Sequence, residues 1–288
     1  MRRKTICALT IVTAAVLTAA RVWQYLWIID VVSGFFTTTD ISVYLLYGGL
    51  ALFFLLAAFA SFTDKTIARA HTSFLRASLT GFSLLLAGGV NLFASAYIVA
   101  GIIDGEAIQL TEISNALLGF AASLVLLYFG FLIITGRGIT HKFLPLVPVL
   151  WVTVRLLSTF RRTSTVLPIS ENLLTLLSLV ALTVYFLYFA FAVAGFFAKA
   201  GARWMFLSAV TGVVLIIPNT LGMLIAAYAD AFYSLEPVWY IERVAMLSLV
   251  PLMLCTAYHT AFTRTSSPDT PQDETPVPED LSGEPPTA

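Results

Sequence analysis

The chain has 288 residues, of which 59 % are hydrophobic and 11 % charged, and its mean hydropathy is +0.90. That exceeds the apolar share of about half expected of a soluble domain and defines an integral membrane protein. Sixteen Lys and Arg balance sixteen Asp and Glu, so no basic excess points to nucleic acid.

A helix needs about 20 apolar residues to cross a bilayer. Runs of this kind lie near 6 to 29, 41 to 62, 73 to 103, 113 to 135, 171 to 198, 204 to 229 and 238 to 262, with a shorter one near 143 to 160. The expected fold is therefore all-α with eight transmembrane helices. The first run follows the basic start Arg2, Arg3 and Lys4 and also reads as a signal peptide; its continuation through "VWQYLWII" favours a retained helix.

The fifth run carries Pro145, Pro148 and Arg155 and is the doubtful span. Charge bias favours counting it. With all eight crossing and both termini cytoplasmic, the inner loops and ends hold Arg2, Arg3, Lys4, Lys65, Arg69, Arg76, Arg137, Lys142, Lys199, Arg203 and Arg264, which is 11 of 16 cations. Dropping the span would turn Lys199 and Arg203 outward. The arrangement leaves Arg161 and Arg162 outside.

The two halves, 1–142 and 143–262, invite comparison as a tandem 4+4 parallel repeat. Arg21 maps onto Arg155, Lys65 onto Lys199 and Arg69 onto Arg203 at an offset of 134, while Asp40 maps onto Glu171 at 131. Hairpins of similar length would by themselves place loop charges at similar offsets. They would not place an arginine in the outer part of both first helices, nor a loosened helix with an asparagine in both third ones: Gly88, Gly89 and Asn91 in one, Pro218 and Asn219 in the other. The Gly and Pro residues are the expected hinges.

Helix rise places these polar residues in one layer. Arg21 lies 17 residues beyond the last inner cation, Asn91 15, Arg155 13 and Asn219 16, or about 20 to 26 Å into a core about 30 Å thick. A buried guanidinium costs at least about 2.5 kcal/mol on insertion scales and so demands a partner, a route to the interface or a wet cavity. Two readings follow. In one, Arg21 and Arg155 snorkel or bridge to Asp40 and Glu171 and merely lock helices together. In the other, Arg21, Arg155, Arg161, Arg162, Asn91 and Asn219 line a site for an anionic small molecule or a lipid headgroup, with Asp40 and Glu171 orienting the guanidinium planes. The asparagines serve equally well as interhelical hydrogen-bonding groups.

Trp23, Trp27, Trp239 and Tyr240 fit an interfacial aromatic belt, and Gly48, Gly49, Gly81, Gly195 and Gly212 read as close-packing points. No phosphate-binding loop, nucleotide fingerprint, hydrolase elbow or zinc-protease motif occurs, and His71, His141 and His259 all fall near the inner face. An enzyme is not expected, and no cofactor is implied. Cys255 and His259, four apart on one helix, would need His71, His141 or Cys7 to complete a metal site; chance spacing explains them better, and no metal is assigned. Residues 263–288 hold six of the twelve prolines and six acids and read as a disordered cytoplasmic tail able to recruit a cytoplasmic protein.

Trp151, Arg155 and Phe160, followed by Ser170-Glu171-Asn172 opening a long apolar helix, resemble a group of uncharacterised multi-pass membrane proteins from anaerobic Gram-positive bacteria. The resemblance covers about 25 residues. It implies a bacterial plasma membrane and brings no ligand-binding residue with it. The functional expectation is a permease or ligand-binding membrane component; the alternatives are a structural or assembly protein and a sensory receptor.

Overall fold

The structure is a computed structural model that describes residues 3–29, 41–63, 75, 77–103, 110–137, 141–163, 169–196, 199–229 and 237–262. These residues form nine helices and no strand: α1 Arg3–Trp27, α2 Ile41–Thr63, α3 Ser78–Ile103, α4 Leu110–Ile134, α5 Leu146–Thr163, α6 Ile169–Ala194, α7 Lys199–Tyr228, α8 Pro237–Leu247 and α9 Val250–Phe262. Seven stretches are long and apolar enough to cross a membrane, α8 and α9 together supplying one of them. The chain is an all-helical, multi-pass membrane protein. The proposed tail at 263–288 lies outside the described residues.

The helices are built for lipid on one side and for neighbours on the other. On α1, Ile6, Thr10, Ala14, Leu17, Arg21 and Gln24 are buried at three- and four-residue spacing, as is Ile28 just past its end, while Ile11, Val12, Val16, Trp23 and Trp27 are exposed between them. Hydroxyl side chains within the helices hide their polarity by donating back along the backbone. Thr10 donates to the Ile6 carbonyl at 2.7 Å, Ser123 to Gly119 at 2.6 Å and Ser178 to Leu174 at 2.7 Å.

α7 is the central post, packing against α1, α2, α6, α8 and α9. α3, its counterpart in a 4+4 repeat, packs instead against α4, α8 and α9, so the two third helices have different neighbours. Glycines set the closest approaches. A Cβ on Gly88 would lie 2.9 Å from the Leu127 nitrogen and 3.0 Å from the Ser123 oxygen, and one on Gly81 3.1 Å from the Gly130 oxygen, so α3 and α4 meet backbone to backbone. Gly49 fits the packing expectation through Leu17, and Gly212 through Met253. Gly48 has open space around it, and Gly195 ends α6 in the left-handed region at φ +82°, with Phe196 N–H bonded to the Phe191 carbonyl at 3.0 Å. Those two glycines are therefore not helix-contact points.

Cross-helix contacts fix the directions of travel. Cys7, near the start of α1, reaches Ala257 late in α9, and Arg21, near the end of α1, lies against Gly222 near the end of α7. The end where α1 finishes is here termed distal. Ser83 meets Cys255 proximally and Asn91 meets Ser248 farther along, so α3 runs distally and α8–α9 return. Thr175, in the first part of α6, meets Asn219 late in α7, which places the start of α6 distally. Trp151 on α5 fits over Gly119 on α4, its Nε1 3.0 Å from where a Gly119 Cβ would stand.

The helices expected to be interrupted are unbroken. α3 runs through Gly88 and Gly89, and α7 through Pro218. The break falls instead in the last span, between α8 and α9 at Ser248–Leu249, just before Pro251. Leu249 N–H turns to the Met246 carbonyl at 3.2 Å, which leaves the Ala245 carbonyl to other donors. Ser248 Oγ donates to it at 2.6 Å and Asn91 Nδ2 from α3 at 3.3 Å. Pro251, lacking an N–H, also cannot continue the ladder to Leu247.

Candidate functional site in the distal half

Two polar clusters occupy the distal half, both touching α7. The first is built on α1. Arg21, Gln24 and Tyr25 fall on one face at i, i+3 and i+4, and the face is turned inward. Arg21 and Gln24 are both wholly buried. Arg21 Nη1 donates to Gln24 Oε1 at 2.9 Å and Nη2 to the Tyr25 hydroxyl at 2.9 Å, with the guanidinium carbon 4.4 Å from the Tyr25 ring centroid. Gly222 on α7 makes room for the Arg21 stem, since a Cβ there would stand 3.1 Å from Arg21 Cγ and 3.2 Å from its Cβ.

The orientation of the Gln24 amide follows from its partner. A guanidinium only donates, so the atom facing it is the oxygen and Nε2 points elsewhere. Among the described residues Nε2 has no hydrogen-bond partner, and neither does the buried hydroxyl of Ser42 at the start of α2. Leu17 packs at 3.0 Å on the position a Gly49 Cβ would take; in that antiparallel register Ser42 comes level with Gln24. Two buried groups with unused hydrogen-bonding capacity thus sit at one depth, Gln24 next to the Arg21 guanidinium on α1 and Ser42 on α2.

The second cluster joins α5, α6, α7 and α8. Arg155 Nη2 lies 3.5 Å from Glu242 Oε2, with the arginine side chain 17 % exposed and the carboxylate 45 % exposed. The next residue, Arg243, points Nη1 at Thr175 Oγ1 at 3.5 Å, and Asn219 Nδ2 donates to the same oxygen at 3.0 Å. Asn219 is buried and its Oδ1 is without a partner among the described residues.

The sequence-based expectations distribute over these clusters unevenly. Arg21 and Arg155 do not share one cluster: the first belongs to α1 and α7, the second to α5 and α8. Among the described residues the carboxylate beside Arg155 is Glu242. Asp40 and the side chains of Glu171 and Arg162 lie outside the described residues, and Arg161 is exposed near the end of α5. Asn91 is occupied with Ala87, Ala245 and Ser248 and supports the α8–α9 break. Gln24, Ser42, Thr175, Glu242 and Arg243 were not singled out as site residues, although Gln24 sits one turn beyond Arg21 on the same helical face.

At the proximal end, Cys255 Sγ lies 3.2 Å from the Ser83 hydroxyl, and Cys7 Sγ points to the Ala257 carbonyl at 3.9 Å. Among the described residues no group of three or more His, Cys, Asp or Glu is placed to hold a metal; His71 lies outside them. No protein-family model, curated protein or solved structure matches the chain.

Proposed function

We propose that the protein is a permease or ligand-binding membrane component whose site lies in the distal half of the bundle and is lined by arginine. The observation that carries this reading is the Arg21 cluster. A charge wholly removed from solvent is costly in a membrane, yet at its depth two buried polar groups, Gln24 Nε2 on the same helix and Ser42 Oγ on α2, have their hydrogen-bonding capacity unspent. A cluster serving only to clamp helices would gain by satisfying every member, because an unmet buried polar group costs about 1–3 kcal/mol. An anion from a small metabolite or a lipid headgroup is the natural partner of such a layer, and no catalytic role is assigned to it.

The topology belongs to the same proposal. α4 finishes proximally and α6 starts distally, so α5 has to carry the chain between the two ends; its 18 residues span about 27 Å. We read the chain as eight crossings with both termini cytoplasmic, two related four-helix halves, and a location in a bacterial plasma membrane.

The test is a thermal-shift titration of detergent-purified protein against anionic metabolites and lipids, since a ligand bound to the native state raises its melting temperature with concentration. A saturable shift supports the reading, and its absence across carboxylates, phosphates and anionic lipids overturns it. The competing reading, a structural or assembly protein, draws on Arg155, whose contact with Glu242 is internal. It predicts no ligand shift and a lower melting temperature for Arg155→Gln.

A further inference from the structure

We propose that a groove between α1 and α7 binds one hydrocarbon chain of a membrane lipid from the distal leaflet. The site is separate from the two arginine clusters and does not depend on them. The groove has a volume of about 730 Å³. Its floor, which includes Ala14, Thr18 and Val213, is buried, while on its rim Trp23 is 54 % and Ile225 42 % exposed. Every lining side chain except Thr18 is apolar, and the Thr18 hydroxyl is turned back to the Ala14 carbonyl at 2.7 Å. The groove therefore offers a ligand neither a free donor nor a charge.

The fold explains why the space exists. Ala15 and Ala19 put little bulk on this face of α1. The last span supplies a third wall at Leu254, on α9, which packs against α1. Beyond the break at Ser248–Leu249, α8 packs against α3 and α7 and contributes no lining residue. Distally the groove is thus walled by α1 and α7 among the described residues, and it opens sideways into the hydrocarbon around a multi-pass protein.

Its size selects the occupant. The α1 lining runs from Ile11 to Leu26, about 22 Å along the helix, so the mean cross-section is about 30 Å². A helix about 10 to 12 Å across needs about 80 to 110 Å², and so neither a second copy of the chain nor a partner's span can seat there. A single extended chain can. Unfilled, the lining forfeits dispersion contacts on its open side, and a chain laid along it restores them. Trp23 and Leu26 lie where α1 nears its distal end and mark the level at which the chain enters.

The experiment titrates full-length protein in detergent with dioleoyl phosphatidylcholine and dioleoyl phosphatidylglycerol, with the dihexanoyl form of each as the chain control, and reads the melting temperature. Both dioleoyl lipids raise it saturably and to a similar extent, and the dihexanoyl lipids leave it unchanged. Ala15→Leu and Ala19→Phe add bulk inside the groove from exposed positions, so both fold. Each weakens the apparent affinity about tenfold. Val16→Phe adds bulk at an exposed neighbour outside the groove and keeps the wild-type response. Mass spectrometry of the purified proteins gives the same comparison without melting: a tightly held phospholipid in wild type and its absence in Ala19→Phe. A dioleoyl response that survives both filling variants, or is lost equally in Val16→Phe, is general solvation by lipid and overturns the site. A response to phosphatidylglycerol alone that filling does not change overturns it too and supports the arginine reading. No shift with either dioleoyl lipid overturns the groove, whatever small anions do.

Discussion

At the scale of single residues, the two distal arginines differ in what surrounds them, and the difference sets what each contributes. Arg21 is enclosed, and two of its partners, Gln24 and Tyr25, come from its own helix, so those contacts are local in sequence. Arg155 meets Glu242 across helices at 3.5 Å, but the carboxylate is nearly half exposed. Exposed pairs contribute little because water competes for both charges, with measured couplings of about 0.2 to 1 kcal/mol. A double-mutant cycle of Arg155→Gln and Glu242→Gln, read by chemical denaturation in detergent, should give a coupling in that range that declines with added salt. A salt-insensitive coupling above about 3 kcal/mol would show a dry, clamping pair. Arg21 was legible from the sequence because a charge so deep in an apolar run must be accounted for. The contact of Arg155 with Glu242 was not, since Glu242 becomes adjacent only once α8 packs into the bundle. No spacing rule conveys that placement.

At the scale of the helix, backbone continuity in hydrocarbon decided where sequence reading succeeded and failed. Gly88 and Gly89 look like a weakness, but within a membrane no water stands ready to replace a broken backbone bond, so a glycine pair stays helical and is used for close approach. The break at Ser248–Leu249 forms where substitutes exist for the lost bonds, namely the Ser248 hydroxyl and the Asn91 amide on the Ala245 carbonyl. Ser248 and Pro251 were visible signals of it, while the reach of Asn91 from α3 to α8 was not. The adjacent glycines give opposite predictions. Gly88→Ala sets a methyl about 3 Å from the backbone of Leu127 and Ser123 and forces α3 and α4 apart, a loss of about 1–3 kcal/mol by overpacking. Gly89→Ala meets nothing within 4 Å and removes backbone freedom, leaving stability unchanged or raising it by up to about 1 kcal/mol. Melting temperatures of the two variants check the contrast, and equal losses would contradict the backbone contact at Gly88.

At the scale of the whole molecule, hydropathy made seven stretches legible because crossing hydrocarbon imposes length and composition together. α5 escapes that criterion since its 18 residues include Arg155, Arg161 and Arg162. Its position explains how it tolerates them. Trp151, five residues into α5, seats on Gly119, which lies 15 residues before the proximal end of α4; α5 therefore starts roughly 10 to 15 Å inside that end. The helix is displaced towards the distal side, carrying Arg161 about 9 Å beyond Arg155 and out towards the headgroup layer. If α5 crosses, its two ends face opposite compartments, and every later helix keeps the orientation that turns Lys199 and Arg203 inward. Single cysteines at Lys142 and Thr163, in a Cys7→Ser, Cys255→Ser background, report this with a membrane-impermeant maleimide on right-side-out and inverted vesicles. Thr163→Cys should label in the first and Lys142→Cys in the second. Labelling of both from one side would make α5 a re-entrant element and overturn the eight-crossing reading.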